Sequence, residues 1–167
     1  MNTGKIEVIH GDGDCGKTSL AMGRGIEALT RQKDVIVIQF VRGSKDQGNM
    51  EVVSRLEPEM KVFCFEKADR DFDQLSEEEK QEEYLNIRNG LNYARKVLAT
   101  GECDLLVLDG ILKLLGPGIL KEEELTQLLD SRDEADVVLT GDVVPDWLCS
   151  QADRIEQILL DKVEMKK

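Results

Sequence analysis

Apolar and polar residues alternate along Lys5-Ile6-Glu7-Val8-Ile9-His10, and this period of two predicts a first strand. Residues 19–29 read as a helix, and 34–40 form a continuous apolar run rich in β-branched residues. A strand of that kind suits a parallel sheet covered on both faces. A polar loop over 42–48 leads to a short helix near 50–56, closed by Pro58, and 61–65 gives a third strand. Ser76-Glu77-Glu78-Glu79 is a capping box, in which the Ser76 hydroxyl and the Glu79 carboxylate serve orphan N–H groups. The helix it starts is predicted to reach about Thr100, with Tyr84, Ile87, Leu91, Ala94 and Leu98 on its core face. Residues 104–109 are the strongest strand, 121–132 a second amphipathic helix, and 136–140 a fifth strand ending in Gly141. A short helix follows Pro145, and 154–160 supply a last strand. Strands alternate with helices without linker or repeat, which predicts one α/β domain over residues 1–167, mainly a parallel sheet with helices on both faces.

The first strand and first helix are joined by Gly11-Asp12-Gly13-Asp14-Cys15-Gly16-Lys17-Thr18, which fits the phosphate-loop pattern G-x-x-x-x-G-K-[ST]. The expected fold is therefore that of a P-loop NTPase, RecA-like in class. Strand, glycine loop and helix aim backbone N–H groups and a helix dipole at one point. Gly11, Gly13 and Gly16 permit the tight turn, and Asp12, Asp14, Cys15 and Ser19 complete the candidate nucleotide cradle. Lys17, read as a solvent-facing loop residue, would place a point charge on the phosphates, and Thr18 would offer Mg²⁺ a hydroxyl. A glycine-rich helix start with an ordinary lysine is the plainer alternative. The apolar run Leu105-Leu106-Val107-Leu108 delivers Asp109 to the sheet's carboxyl edge in the manner of a Walker B strand. Asp109 is thus the second candidate Mg²⁺ ligand, direct or through water, with a helix-capping aspartate as the alternative. Lys17 and Asp109 are the candidate catalytic pair.

Charge and cysteine usage narrow the partners. The formal net charge of −12, from 34 acidic and 22 basic residues, argues against nucleic acid, whose phosphates need a basic surface. Much of the acidic excess lies in residues 76–83, read as a solvated helix start. No apolar run approaches the length of a membrane span and no signal-peptide core begins the chain, so a cytoplasmic protein is expected. Cys15, Cys64, Cys103 and Cys149 stand far apart, which fits reduced thiols better than zinc or a disulfide framework. Cys15, beside Lys17 at a helix start, has the setting of an oxidation-sensitive thiol, though a small residue tolerated in the loop is the favoured reading. His10, the only histidine, is expected to end a buried strand without chemistry.

Further blocks resemble one family, the P-loop ATP:corrinoid adenosyltransferases, which act on cob(I)alamin or cob(I)yrinic acid a,c-diamide. Gln39-Phe40-Val41-Arg42-Gly43 is similar to that family's "QF-x-K-G". The stretch from Gly101 through Asp104 to Asp109 is similar to its "G-x-x-D-L-V-V-L-D-E". Arg132 with Val137-Val138-Leu139-Thr140-Gly141, then Pro145, Leu148, Ala152 and Asp153, follow in the same order. The resemblance implies a cytoplasmic enzyme, a homodimer, with ATP, Mg²⁺ and a corrinoid co-substrate. In the implied reaction Co(I) attacks the 5′ carbon of ATP and triphosphate leaves, so Lys17, the loop N–H groups and Mg²⁺ on Thr18 would stabilise the leaving group. The chain departs from the pattern at Asp14 and Asp142, where the family has basic residues, and at Gly110, where it has Glu. The family's C-terminal Lys-His pair has no match in Asp161-Lys162-Val163-Glu164-Met165. The three exchanges leave the site about three charges more negative, unless Arg24, Arg42 and Lys45 reach in. Two other functions stay open. One is another small P-loop kinase or NTPase, in which Gly110 would leave no side chain to orient an attacking water. The other is a non-catalytic nucleotide- or corrinoid-binding relative.

Overall fold

The computed structural model describes residues 3–40, 52–65 and 72–164. Among the described residues six parallel strands form one sheet: β1 (Ile6–His10), β2 (Val35–Gln39), β3 (Met60–Cys64), β4 (Leu105–Asp109), β5 (Asp136–Gly141) and β6 (Arg154–Gln157). Their order is β3-β2-β4-β5-β1-β6. Four α-helices accompany them among the described residues: α1 (Lys17–Thr30), α2 (Glu77–Thr100), α3 (Glu122–Asp130) and α4 (Asp146–Gln151). A P-loop NTPase-like α/β fold is the result.

Strand alternation sorts the core into two layers. Ile36 and Ile38 on β2, Leu106 and Leu108 on β4, and Val137 and Leu139 on β5 pack under Ile87, Leu91 and Leu98 of α2 and Leu125 and Leu129 of α3. The intervening Val35, Val37, Leu105, Val107 and Val138 face α1, meeting Ala21 and Ala28. Both faces of the central strands are thus buried, and this is why β2 and β4 read as unbroken apolar runs. Among the described residues no helix is long and apolar enough to cross a membrane.

The capping box at α2 forms as expected, with Glu79 N donating to Ser76 Oγ at 3.2 Å and Ser76 N to Glu79 Oε1 at 3.3 Å. Gly101 ends the helix with φ 65, a left-handed cap that glycine adopts cheaply. Tyr84 departs from the expected core face. It is 43% exposed, and the buried row is Glu83, Ile87, Gly90, Leu91, Ala94, Val97 and Leu98. The row keeps its helical period, but its first member is Glu83, so hydrophobic identity at position 84 misassigned the stripe's start. Gly90 lies where a Cβ would come within 2.9 Å of Phe40 Cε1, so two aromatic rings pack directly on the α2 backbone. Because Tyr84 is peripheral, Tyr84→Ala is expected to change stability by about 0.5 kcal/mol or less in urea titration, as for other surface substitutions.

Other boundaries shift slightly. The last strand stops at Gln157 rather than 160, and the third starts at Met60. Of the expected helix near 50–56, the described part is α-helical at Val52 and Val53 and tightens into a 3-10 turn, Ser54–Leu56, and the preceding loop over 42–48 lies outside the described residues.

Candidate functional site

Three strand ends build the site. β5 lies between β1 and β4, with His10 paired to Gly141 and Leu108 to Leu139. The carboxyl ends of β1, β5 and β4 therefore open onto one sheet edge, where ligands of parallel α/β sheets bind. Gly11 N donates to Gly141 O at 3.3 Å, anchoring the glycine loop to β5 as the chain leaves β1. Gly13 and Gly16 take left-handed φ values of 58 and 98, which side-chain-bearing residues adopt at a cost. Gly16 starts α1 with no side-chain cap, so N–H groups of its first turn remain as donors for an anion. Asp12, Gly13, Asp14, Gly16 and Ser19 are exposed along this loop.

Cys15 points the other way. A Cβ on Gly11 would lie 2.6 Å from Cys15 Sγ and 2.8 Å from Ile158 O, so the thiol is packed under the loop and buried. That placement agrees with a small residue filling the loop's underside. Burial pushes the Cys103 thiol up to about 12, and Cys103 precedes the amino end of β4, far along the strand from this edge. His10 ends β1, half-buried.

Lys17 is 7% exposed, in contrast to the solvent-facing lysine expected from the loop pattern. Its Nζ donates to Gly11 O, to Gly13 O at 2.9 Å, and to Asp142 Oδ1, three acceptors that draw the side chain inward. Asp142 reaches it because it is the first residue beyond Gly141, whose partner in the ladder is His10. The exchange at position 142 therefore bears directly on the loop lysine.

Thr18 and Asp109 meet. Thr18 Oγ1 donates to Asp109 Oδ2 at 2.8 Å, joining the start of α1 to the end of β4. Thr140 Oγ1 donates to the other oxygen, Oδ1, at 2.7 Å, and itself accepts from Gly110 N at 2.7 Å. Gln39 Nε2 stands 3.5 Å from Oδ2. Asp109 is 1% exposed, and its partners among the described residues are neutral. A buried carboxylate in such company favours a cation. Its oxygens are occupied by hydroxyls rather than by helix N–H groups, contrary to a capping role. Thr140 and Gln39 were not singled out from the sequence as site residues. The signal for Thr140 was present all the same, as the one hydroxyl in the apolar run Val137-Val138-Leu139-Thr140.

Arg24 does not reach the loop. It bonds Glu7 at 2.8 Å, Glu156 at 2.5 Å and Glu27 at 3.3 Å, a network that ties α1 to β1 and β6. The hydrogen bonds that it donates to Glu156 and then Glu7 raise the Arg24 guanidinium further above its ordinary value. Burial, followed by a hydrogen bond with Glu156, raises the Glu7 carboxyl. Glu156 is lowered by its hydrogen bonds with Glu7 and Arg24. Three acidic neighbours thus consume the arginine's charge. Arg42 and Lys45 lie outside the described residues. Gly110 has φ 85, a left-handed conformation from which the chain enters the 3-10 turn Ile111–Leu114. A glutamate there would be strained by about 1–2 kcal/mol.

The corrinoid adenosyltransferase of Escherichia coli (strain K12) is 27% identical over 143 residues, covering 83% of this chain and 67% of that protein. The corrinoid adenosyltransferase of a second Escherichia coli strain, O6:H1, matches to the same extent. In structure, the chain is similar to a KaiC-like protein of Pyrococcus horikoshii with a TM-score of 0.54 and 19% identity. That similarity covers 86% of this chain and 63% of the archaeal one, and it speaks for the fold. The sequence model of the ATP:corrinoid adenosyltransferase family BtuR/CobO/CobP matches residues 2–167. With so nearly complete a match, the chain belongs to the ATP:corrinoid adenosyltransferase family.

Proposed function

We propose that this protein transfers the 5′-deoxyadenosyl group of ATP to the cobalt of a reduced corrinoid, releasing triphosphate, and that Thr18 and Asp109 are the residues that would hold Mg²⁺. The observation that carries the reading is the 2.8 Å contact between Thr18 Oγ1 and Asp109 Oδ2, which brings the loop and the β4 carboxylate to one point. Both offer hard oxygen donors, and Mg²⁺ takes most of its octahedral shell from phosphate and water, so two protein oxygens fit it. Bound there, the ion would neutralise charge on the leaving triphosphate. Lys17, Gly13, Gly16 and the first N–H groups of α1 would bind the phosphates and hold them through C–O cleavage. Gly11, Asp12, Asp14, Cys15 and Ser19 shape the same loop. Thr140 orients Asp109. The corrinoid cobalt is the nucleophile, so none is required of the protein, and the buried Cys15 and Cys103 are ill placed to be one.

This reading takes residues 1–167 as one nucleotide-binding unit acting in the cytoplasm as a homodimer on small molecules, with no nucleic acid or membrane partner. A second reading, a binding relative without turnover, is favoured by one observation, the engagement of Lys17 by Asp142. Anaerobic incubation with ATP, Mg²⁺ and chemically reduced cobalamin separates the two. Loss of the Co(I) absorbance with one triphosphate released per adenosylcorrinoid is the expected result. Binding without turnover supports the second reading, and ADP with phosphate would instead indicate a kinase or NTPase.

A further inference from the structure

The donors of Lys17 are fully engaged by groups of the protein itself. An ammonium group has three N–H bonds. Gly11 O, Gly13 O and Asp142 Oδ1 accept one each. For a phosphate oxygen to be bound by Lys17, one acceptor must withdraw. Two are loop carbonyls belonging to the backbone, while the third is a side chain, 41% exposed. Asp142 is also the one that a phosphate repels, since two anions cannot share the same cation at close range without loss. The carboxylate also offsets the cost of an ammonium group taken out of water.

We propose that Asp142 is an internal competitor for the triphosphate: it engages Lys17, yields to the phosphates of ATP, and returns to expel triphosphate after transfer. The competition follows from the Lys17 contacts alone, and only its last step rests on the adenosyl-transfer reading above. The device selects by phosphate arm. Ligands that reach Lys17 must displace Asp142, whereas adenosine, which lacks phosphates, does not meet it. Asp142 acts through Lys17 and is in this sense a positioning residue.

Calorimetric titration of the full chain and of Asp142→Asn with tripolyphosphate, MgATP and adenosine tests this. Asparagine keeps an acceptor oxygen at nearly the same place and removes the charge. Tripolyphosphate and MgATP are expected to bind about tenfold tighter to the variant, the scale of one charge-assisted hydrogen bond, with adenosine affinity unchanged. In multiple-turnover transfer the variant is expected to slow after its first turnover, because triphosphate stays bound. A purely structural role would weaken all three ligands together, and that result, or an unchanged tripolyphosphate affinity, overturns the proposal. Asp142→Ser serves the same titrations if the asparagine variant folds poorly. Should the parent prove unable to transfer adenosyl groups, the function proposed above fails while the tripolyphosphate titration still decides the competition.

Discussion

Lys17→Ala is expected to slow adenosyl transfer by about a hundred- to a thousandfold, the range for removing one preorganised charge-stabilising donor from a leaving group. MgATP affinity should fall by roughly tenfold to over a hundredfold, since a charge-assisted contact contributes about 1.5–3 kcal/mol. The rate falls further than the affinity because charge on the triphosphate grows as the C–O bond breaks, so Lys17 counts for more in the transition state than in the bound substrate. Stability changes as well. Lys17 is buried, and its loss leaves the Gly11 and Gly13 carbonyls without a donor and Asp142 without a cation. Two of these groups reach water through the open loop, so a cost of about 1–3 kcal/mol is expected, below the 5–15 kcal/mol typical of a folded domain. Circular dichroism should show the fold retained. Equal MgATP affinities in variant and parent would remove Lys17 from the site.

Most of the frame was legible in the sequence because periodicity and glycine placement are local signals. The runs at residues 34–40 and 104–109 announced strands buried on both faces, and Ser76 with Glu79 marked the start of α2 to the residue. The loop pattern singled out Lys17 and Thr18 and the Walker B resemblance Asp109, and Thr18 and Asp109 do come into contact. Strand order was not legible. Only with β5 inserted between β1 and β4 does Asp142 fall beside Gly11, and Thr140 opposite the end of β4. The sequence therefore flagged Asp142 as a charge change without showing that its carboxylate engages Lys17. Gly110 was flagged as a missing acid, but its φ of 85 makes it a backbone position as well. Restoring charge to the loop is for that reason better done with Asp14→Lys and Asp142→Arg, leaving Gly110 in place. Tyr84 was misplaced because an aromatic ring at helical spacing reads as core, while burial is decided by where α2 crosses the sheet.

Asp109→Asn is expected to cut the gain in ATP affinity that Mg²⁺ provides by about ten- to a hundredfold, the range for losing a group that holds or orients a metal ligand. The substitution suits the question because it changes little else. Asparagine has nearly the shape of aspartate, and one of the hydroxyls of Thr18 and Thr140 can turn to accept from its amide NH2 while the other goes on donating to its carbonyl oxygen. Packing around a side chain 1% exposed is preserved, so the lost quantity is one negative charge. A cation feels that loss as weaker attraction, whereas free ATP, itself an anion, feels it as relief. Metal-free affinity should therefore stay level or rise while the Mg²⁺-dependent part falls, and adenosyl transfer should drop in step with the latter. Titrations with ATP in Mg²⁺ and in a chelator measure the two parts separately. A parallel fall in both would make Asp109 a support for Thr18 and Thr140 rather than a partner of the metal. Opposite changes arise only if the carboxylate faces a bound cation.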